Sequence, residues 1–300
     1  MLRATRLILA FLLAIGVATV QPAGRLMASS AEDPPPAQKA TLKAVAAKAP
    51  DIPLPPTYEI ATEDELLVLA NQARRQSGAP LLVLDAGLSQ AARAHAQTML
   101  EAHQLSHQFD GEPSLVQRLA ATTSLQLDQE GENVALDYDA AHGHQHLMES
   151  PPHRANLLNP AFNVIGLGVV RSGNRLYIVQ DFAHALPLTT LTQWKGRIAA
   201  AVDLARRQAN RPELPRRDLL MADEAACSMA KADKLGTDAV HKLAERFTVL
   251  SYTSLYPENL PNGGLRSITS ANLKSFSIGA CYARTDTYPT GVYWVVLTLD

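Results

Sequence analysis

Apolar residues along this chain keep two rhythms. Between Glu63 and Gln76, Leu66, Leu69, Ala70 and Ala73 recur at helical spacing. Thr62 is placed to cap that helix, and Glu63, Asp64 and Glu65 fill its first turn, where the helix dipole favours acidic groups. Gly78 and Pro80 end it. Asp85 opens a second helix that sets Leu88, Ala92, His95, Ala96 and Met99 on one face. A polar stretch containing Gly and Pro then runs to about Glu130. Another helix is predicted near Ala140–Met148, and a short one opens at Ser150–Pro151–Pro152, with Ser at the cap and Pro in the first turn. Asn159–Pro160 stops it. The rhythm then becomes β-like in Asn163–Val170 and Leu176–Phe182, with Ser172–Gly173–Asn174 as a hairpin signal between them. Helices, a polar loop, more helices and a hairpin predict an α+β layered domain.

The second half echoes the first. Ala73–Arg74–Arg75–Gln76 recurs as Ala205–Arg206–Arg207–Gln208, and Ile165–Gly166 as Ile278–Gly279. Leu176–Tyr177–Ile178–Val179 recurs as Val292–Tyr293–Trp294–Val295. His107 lies 16 residues after Ala91, as His241 does after Ala225, and Glu132–Asn133 has an echo in Glu258–Asn259. The order of these echoes predicts a tandem repeat. The alternative is an unrelated smaller α/β domain whose Ala-rich helices match by composition. Only 19 residues separate Glu258 from Ile278, against 32 between Glu132 and Ile165, so a second copy has no room for the helix that carries His153.

The N-terminus changes the expected setting. Arg3 and Arg6 precede an apolar run from Leu7 to Val20, whose 14 residues are short for a membrane span and suit an export signal. This predicts a signal peptide over 1–28 and a secreted, periplasmic or cell-envelope location, with no transmembrane span in the mature chain. Residues 29–57 are rich in Pro, Ala and Lys and read as an extended linker. The 300-residue chain has a formal net charge of −2, so it lacks the basic footprint that nucleic acid requires. In an oxidising compartment its two cysteines, Cys227 and Cys281, can form one bridge; in a reducing one they would be small buried hydrophobes.

No local catalytic signature is present: no His-Glu-x-x-His, Gly-x-Ser-x-Gly or phosphate-binding Gly-rich loop. The candidates are His107, Glu132 and His153, each beside turn chemistry. Imidazole and carboxylate can ligate Zn²⁺ or act as general acid and base, but the separations of 25 and 21 residues follow no metal motif. His95 reads as a satisfied core histidine. His142, His144 and His146 form a local cluster, with the first and third at i, i+4 if helical.

The sequence Asn71…Arg74…Gly78…Leu84–Asp85…Leu88…Ala92…His95–Ala96…Met99, then Ser106–His107 and Gly131–Glu132–Asn133–Val134–Ala135, resembles the bacterial branch of the CAP (SCP/PR-1/antigen 5-like) superfamily. The likeness continues through Ser150–Pro151–Pro152–His153–Arg154–Ala155–Asn156–Leu157–Leu158–Asn159–Pro160, Ile165–Gly166–Leu167–Gly168 and Val179–Gln180–Asp181–Phe182–Ala183. It implies an α-β-α sandwich over residues 58–186. The echoes then predict a second, smaller α/β domain over 192–300, a degenerate CAP-like repeat if they mark a duplication. The resemblance also implies a cavity with His107, Glu132, Asn133, His153 and Arg154, in which His107, Glu132 and His153 would hold a divalent metal such as zinc. A further acidic residue is expected on the helix before Ser150, but Leu147 stands where the family carries Trp, and Glu149 only approaches the acidic position. The function implied is an exported binding module for a small apolar, glycan or protein ligand. The alternatives are a metal-assisted hydrolase acting on peptide or cell wall, with His107, Glu132 and His153 as catalytic candidates, and a structural envelope protein.

Overall fold

The computed structural model describes residues 57–300; the expected signal peptide and nearly all of the linker lie outside them. The first helix, α1 (Ile60–Ser77), begins three residues earlier than a cap at Thr62 would place it. Glu59 holds the cap position without a side-chain bond, and Thr62 lies inside the first turn. Gly78 adopts the left-handed conformation (φ 77°) that ends the helix, and its N–H reaches the carbonyls of Arg74 and Arg75. After the short strand β1 (Val83–Leu84) comes α2 (Ala86–Ala102), where the Asp85 carboxylate accepts from the Leu88 N–H at 2.8 Å.

The polar stretch that follows contains a helix the hydrophobic pattern does not announce, α3 (Leu115–Thr122), closed at its start by a reciprocal Ser114–Gln117 capping box. The long strand β2 (Leu127–Asp137) is followed by α4 (Ala140–Glu149), α5 (Pro151–Leu158) and the hairpin β3 (Val164–Ser172) and β4 (Arg175–Ala185). The sheet order is β1-β3-β4-β2, with β1 parallel to β3 and the other pairs antiparallel.

Strand alternation divides this sheet between two helical layers. Ile165, Leu167 and Val169 of β3 join Leu66, Ala70, Leu147 and Leu157 from α1, α4 and α5. On the other face Val134, Val170 and Val179 meet Ala92, Ala96 and Met99 of α2, and Leu119 of α3 packs on Leu88 and Leu127. Gly166 and Gly168 let α2 press onto β3. A Cβ at Gly166 would lie 2.1 Å from the Leu88 carbonyl carbon, and one at Gly168 2.2 Å from that of Ala92. The result is the α-β-α sandwich that the resemblance implies.

The second half builds a smaller sandwich. It comprises α6 (Leu191–Gln208), α7 (Leu220–Ala232), α8 (Asp238–Ala244), β5 (Thr248–Ser254), a 3₁₀ turn (Asn262–Gly264), α9 (Leu265–Ile268), β6 (Phe276–Ala283) and β7 (Val292–Leu299). Its strand order is β5-β7-β6, all antiparallel. Ile278, Tyr293, Val295 and Leu297 face Trp194, Ile198 and Val202 of α6. Val292, Trp294 and Val296 face Ala222, Ala226 and Met229 of α7. Cys227 and Cys281 are joined as a disulfide with their Cα atoms 5.1 Å apart, tying α7 to β6.

Two details of the first half recur. Arg74 is fully buried and donates to Pro80 O (2.6 Å), Leu157 O (2.8 Å), Asn159 O (3.0 Å) and Phe162 O (2.8 Å). Arg206, equally buried, donates to Pro212 O (2.7 Å), Ile268 O (2.7 Å) and Ser270 O (3.1 Å). Gly279 lies against the Ala222 carbonyl of α7, as Gly166 lies against Leu88 of α2. Two of the sequence echoes do not align in space. Glu132 lies within β2, whereas Glu258–Asn259 follow β5 in a loop; His107 precedes α3, whereas His241 lies inside α8.

Candidate functional site

Three elements supply the candidate residues. His107 lies in the loop after α2, Glu132 on the edge strand β2, and His153 in the first turn of α5. Glu132 is buried, and both of its carboxylate oxygens are bonded. His107 Nδ1 donates to Oε1 at 2.8 Å, and Arg118 Nη2 of α3 donates to Oε2 at 2.5 Å. With Nδ1 committed, the other ring nitrogen of His107 is left toward solvent, and the side chain is 57% exposed. The loop therefore presents an oriented imidazole whose inner edge is fixed by a buried carboxylate.

Asn133 links the two sides of the site. Its side-chain amide donates to the His153 carbonyl at 3.1 Å and to Gln180 Oε1 at 3.2 Å, while its Oδ1 accepts from Asn156 Nδ2 at 3.0 Å. Asn156 also donates to the Glu132 carbonyl at 3.2 Å. The Glu132–Asn133 pair thus explains one Asn of the Ser-Pro-x-His-Arg-x-Asn segment: it stitches α5 to β2 and places His153 beside His107. Burial, and then the neighbouring charge of His107, push the His153 pKa below the ordinary imidazole value. Arg154 is exposed on α5, outside this buried network.

Four participants were not identified from sequence. Arg118 is buried and lies between Glu132 and Glu112, with Nη1 3.6 Å from Glu112 Oε2. His95 is fully buried, as its helix face implies; Nδ1 meets Glu112 Oε1 at 2.7 Å and Nε2 meets Ser106 O at 2.9 Å. The fourth is Asp181 of β4, which stands directly opposite Glu132 in the β2–β4 register. It is fully buried, and neither carboxyl oxygen has a hydrogen-bond partner. Burial first, and the Glu132 charge second, hold its pKa well above the usual carboxylate range, outweighing the opposing Arg118 charge. A carboxyl beside Glu132 therefore comes from β4, in addition to that of Glu112. Glu149, at the end of α4, is exposed and accepts from Gln145 Nε2 at 2.9 Å. Asp181 lies in a run that carries the resemblance, but its place opposite Glu132 depends on the cross-strand register, which one strand's sequence does not display.

No group of three His, Cys, Asp or Glu side chains among the described residues gathers as metal ligands. Glu132 is held by both His107 and Arg118, and the guanidinium places a positive charge where a cation would have to bind. As arranged, His107, Glu132 and His153 do not fit a divalent metal. The histidines of α4 do not converge either: His142 pairs with Asp139 at 2.9 Å and His146 with Asp137 at 2.6 Å.

The sequence comparisons agree with this architecture. Residues 67–182 match the family model described as the Cysteine-rich secretory protein family, CAP. This part of the chain is a CAP domain. The YkwD protein of Bacillus subtilis is 31% identical over 159 residues, covering 52% of this chain and 60% of that relative. An extracellular SCP-domain protein of Bacillus anthracis is 28% identical, with a TM-score of 0.38, over 42% of this chain and 41% of its own. NaASP2, crystallised with Zn²⁺, is 12% identical over 45% of this chain and 83% of its own, with a TM-score of 0.31. The chain therefore spans under two thirds of both bacterial relatives. No helix among the described residues is long and apolar enough to cross a membrane.

Proposed function

We propose that the CAP domain belongs to an exported binding module that takes a hydrogen-bonding ligand, a glycan in preference to an apolar molecule, at His107 and His153. One observation carries this reading: a buried ionic network, Glu112–Arg118–Glu132, ends on an imidazole that is 57% exposed. Burying charge is costly unless it is paired and hydrogen-bonded, and here it fixes the orientation of a solvent-facing ring. The solvent-facing group is polar, which favours hydroxyl and amide partners over an alkyl chain. Both Glu132 oxygens are committed, which disfavours Glu132 as a free general base and the hydrolase alternative with it. Zn²⁺ in NaASP2 is a property of that protein, and the role proposed here needs no metal. Export is supported by Arg3, Arg6 and the apolar run after them, and by the extracellular Bacillus anthracis relative.

The second half is proposed as a degenerate CAP-like copy. Its strand order, the Arg206 fork and the packing of Gly279 on α7 support that reading, while the counterpart of α4 and the paired histidines are missing.

The test is histidine NMR with soluble chito-oligosaccharide as the probe. Titration is expected to move the His107 and His153 ring signals together and saturably, with the response lost in His153→Ala. Unmoved ring signals at millimolar probe, with a short-chain fatty acid shifting them instead, would overturn the preference for a glycan.

A further inference from the structure

The C-terminal half grips one short segment of the CAP domain. Among the described residues, the side-chain hydrogen bonds that join the two sandwiches all end on residues 120–128. Arg284, just past β6, donates through Nη1 to Ala120 O (2.7 Å) and Thr123 O (2.6 Å), and through Nη2 to Leu125 O (2.8 Å). Gln126 Nε2 donates to the Tyr293 hydroxyl at 3.2 Å, and the Tyr256 hydroxyl donates to Asp128. This segment runs from the end of α3 into β2, between Arg118 and Glu132.

α3 depends on such contacts. It has eight residues, and an isolated helix of that length is not stable in water. Its N-terminus is closed by its own capping box, but its last carbonyls have no partner within the helix. Arg284 supplies donors to Ala120 and Thr123 and places a positive charge at the negative end of the helix dipole. Leu119 anchors the helix on Leu88 and Leu127, while its C-terminal carbonyl end is held by Arg284. The β6–β7 loop and α3 are separated by two open grooves, one of 530 Å³ against Val116 and Tyr288, the other of 390 Å³ against Gln117 and Asp286.

We infer that Arg284 is a positioning residue for the CAP site: it fixes α3, so that Arg118 holds Glu132 and Glu132 holds His107. The C-terminal half then acts as a brace for the site. This inference concerns the site proposed above, but its test reads the geometry of His107 with no ligand present. A failure of the glycan reading therefore leaves it standing, and its own failure leaves the glycan reading open.

The experiment compares full-length wild type with Arg284→Ala by two measurements, amide hydrogen exchange and ¹⁵N-histidine NMR. Exchange over residues 115–125 is expected to quicken at least tenfold, while amides of β7 stay protected. The His107 Nδ1 signal is expected to move toward that of a freely rotating imidazole, matching its position in Arg118→Lys. Arg284→Lys, which keeps the charge but lacks the planar two-nitrogen fork that spans Ala120, Thr123 and Leu125, is expected to fall between the two and serves if the alanine variant fails to fold. A His107 signal unchanged from wild type, whether or not α3 exchanges faster, would overturn the inference and leave Arg284 as a structural contact only.

Discussion

At the scale of single residues, the site is a set of charges that could not be buried separately. Arg118 lies between Glu112 and Glu132, and Asp181 faces Glu132 with no cation of its own. Two carboxyls side by side in a dry interior do not both ionise readily. Asp181 therefore holds its proton to higher pH in the folded protein than in the unfolded chain, and stability depends on pH in a defined direction. Its folded pKa is raised, so its contribution is fully present below the unfolded value. As pH climbs from the unfolded toward the folded value, unfolding lets Asp181 ionise and the native state loses ground. Asp181→Asn removes this slope. Denaturant unfolding should find any offset between variant and wild type constant near pH 3, then shifting in favour of the variant as pH rises to 8. A constant offset across that range would mean that Asp181 is already ionised when folded. The same network bears on metal. Zinc titrated calorimetrically into untagged protein at pH 7 is expected to show no stoichiometric binding. An equimolar site that disappears in His107→Ala/His153→Ala would show that Glu132 can leave Arg118 to join a metal.

Secondary-structure elements show where sequence was informative and where it was not. Asp85 capping α2, the Ser150–Pro151 start of α5 and the Gly173 hairpin were legible because each is local chemistry. α3 was not, because eight residues in a polar stretch carry too few apolar positions to show a period; its capping box at Ser114 and Gln117 was the one available signal. Strand β2 was not predicted as a strand: its Gly131–Glu132–Asn133 centre was picked out by the resemblance, and the polar run Asp128–Gln129–Glu130 near its start hides the period. In the site, His107, Glu132 and His153 were singled out beside turn chemistry and joined into one cavity by the resemblance, whereas the roles of Arg118 and Asp181 depend on a helix and a register that exist only once the chain has folded. The glycines of β3 belong to the same class of long-range fact: Gly166 is an ordinary strand residue in sequence and a contact with α2 in space. Gly166→Ala should push α2 off the sheet. A Cβ 2.1 Å from the Leu88 backbone cannot be relieved by a side-chain rotation, so a loss at the upper end of the roughly 1–3 kcal/mol typical of overpacking is expected. Equilibrium urea unfolding measures it; a loss below about 0.5 kcal/mol, within the usual range of surface changes, would mean that α2 adjusts freely.

On the scale of the whole molecule, the two halves are built alike but held differently. The CAP sandwich covers a four-stranded sheet with five helices, while the C-terminal sheet has three strands and adds a covalent tie across its α7 face. That face is lined by small residues, Ala222, Ala225, Ala226 and Ala230, which bury little apolar area each. The Cys227–Cys281 bridge compensates by closing a loop across a separation of 54 residues. In the chain-entropy picture a loop of that size contributes about 4 kcal/mol by restricting the unfolded chain. The bridge forms only where thiols can be oxidised, so this share of the stability depends on the exported setting proposed for the chain. Cys227→Ala/Cys281→Ala is expected to lower the urea midpoint by an amount equivalent to about 4 kcal/mol. Wild type unfolded in a strong thiol reductant should give a curve close to that of the double variant, because the loss of the cross-link is common to both. The loss should appear first in the C-terminal half, as early exchange of β6 and β7 amides. It should then reach α3 through Arg284, the contact of the C-terminal half that ends on the carbonyls of α3 and the segment after it. If β6 and β7 loosen while residues 115–125 stay protected, the two halves are energetically independent, and the bridge serves the C-terminal sandwich alone.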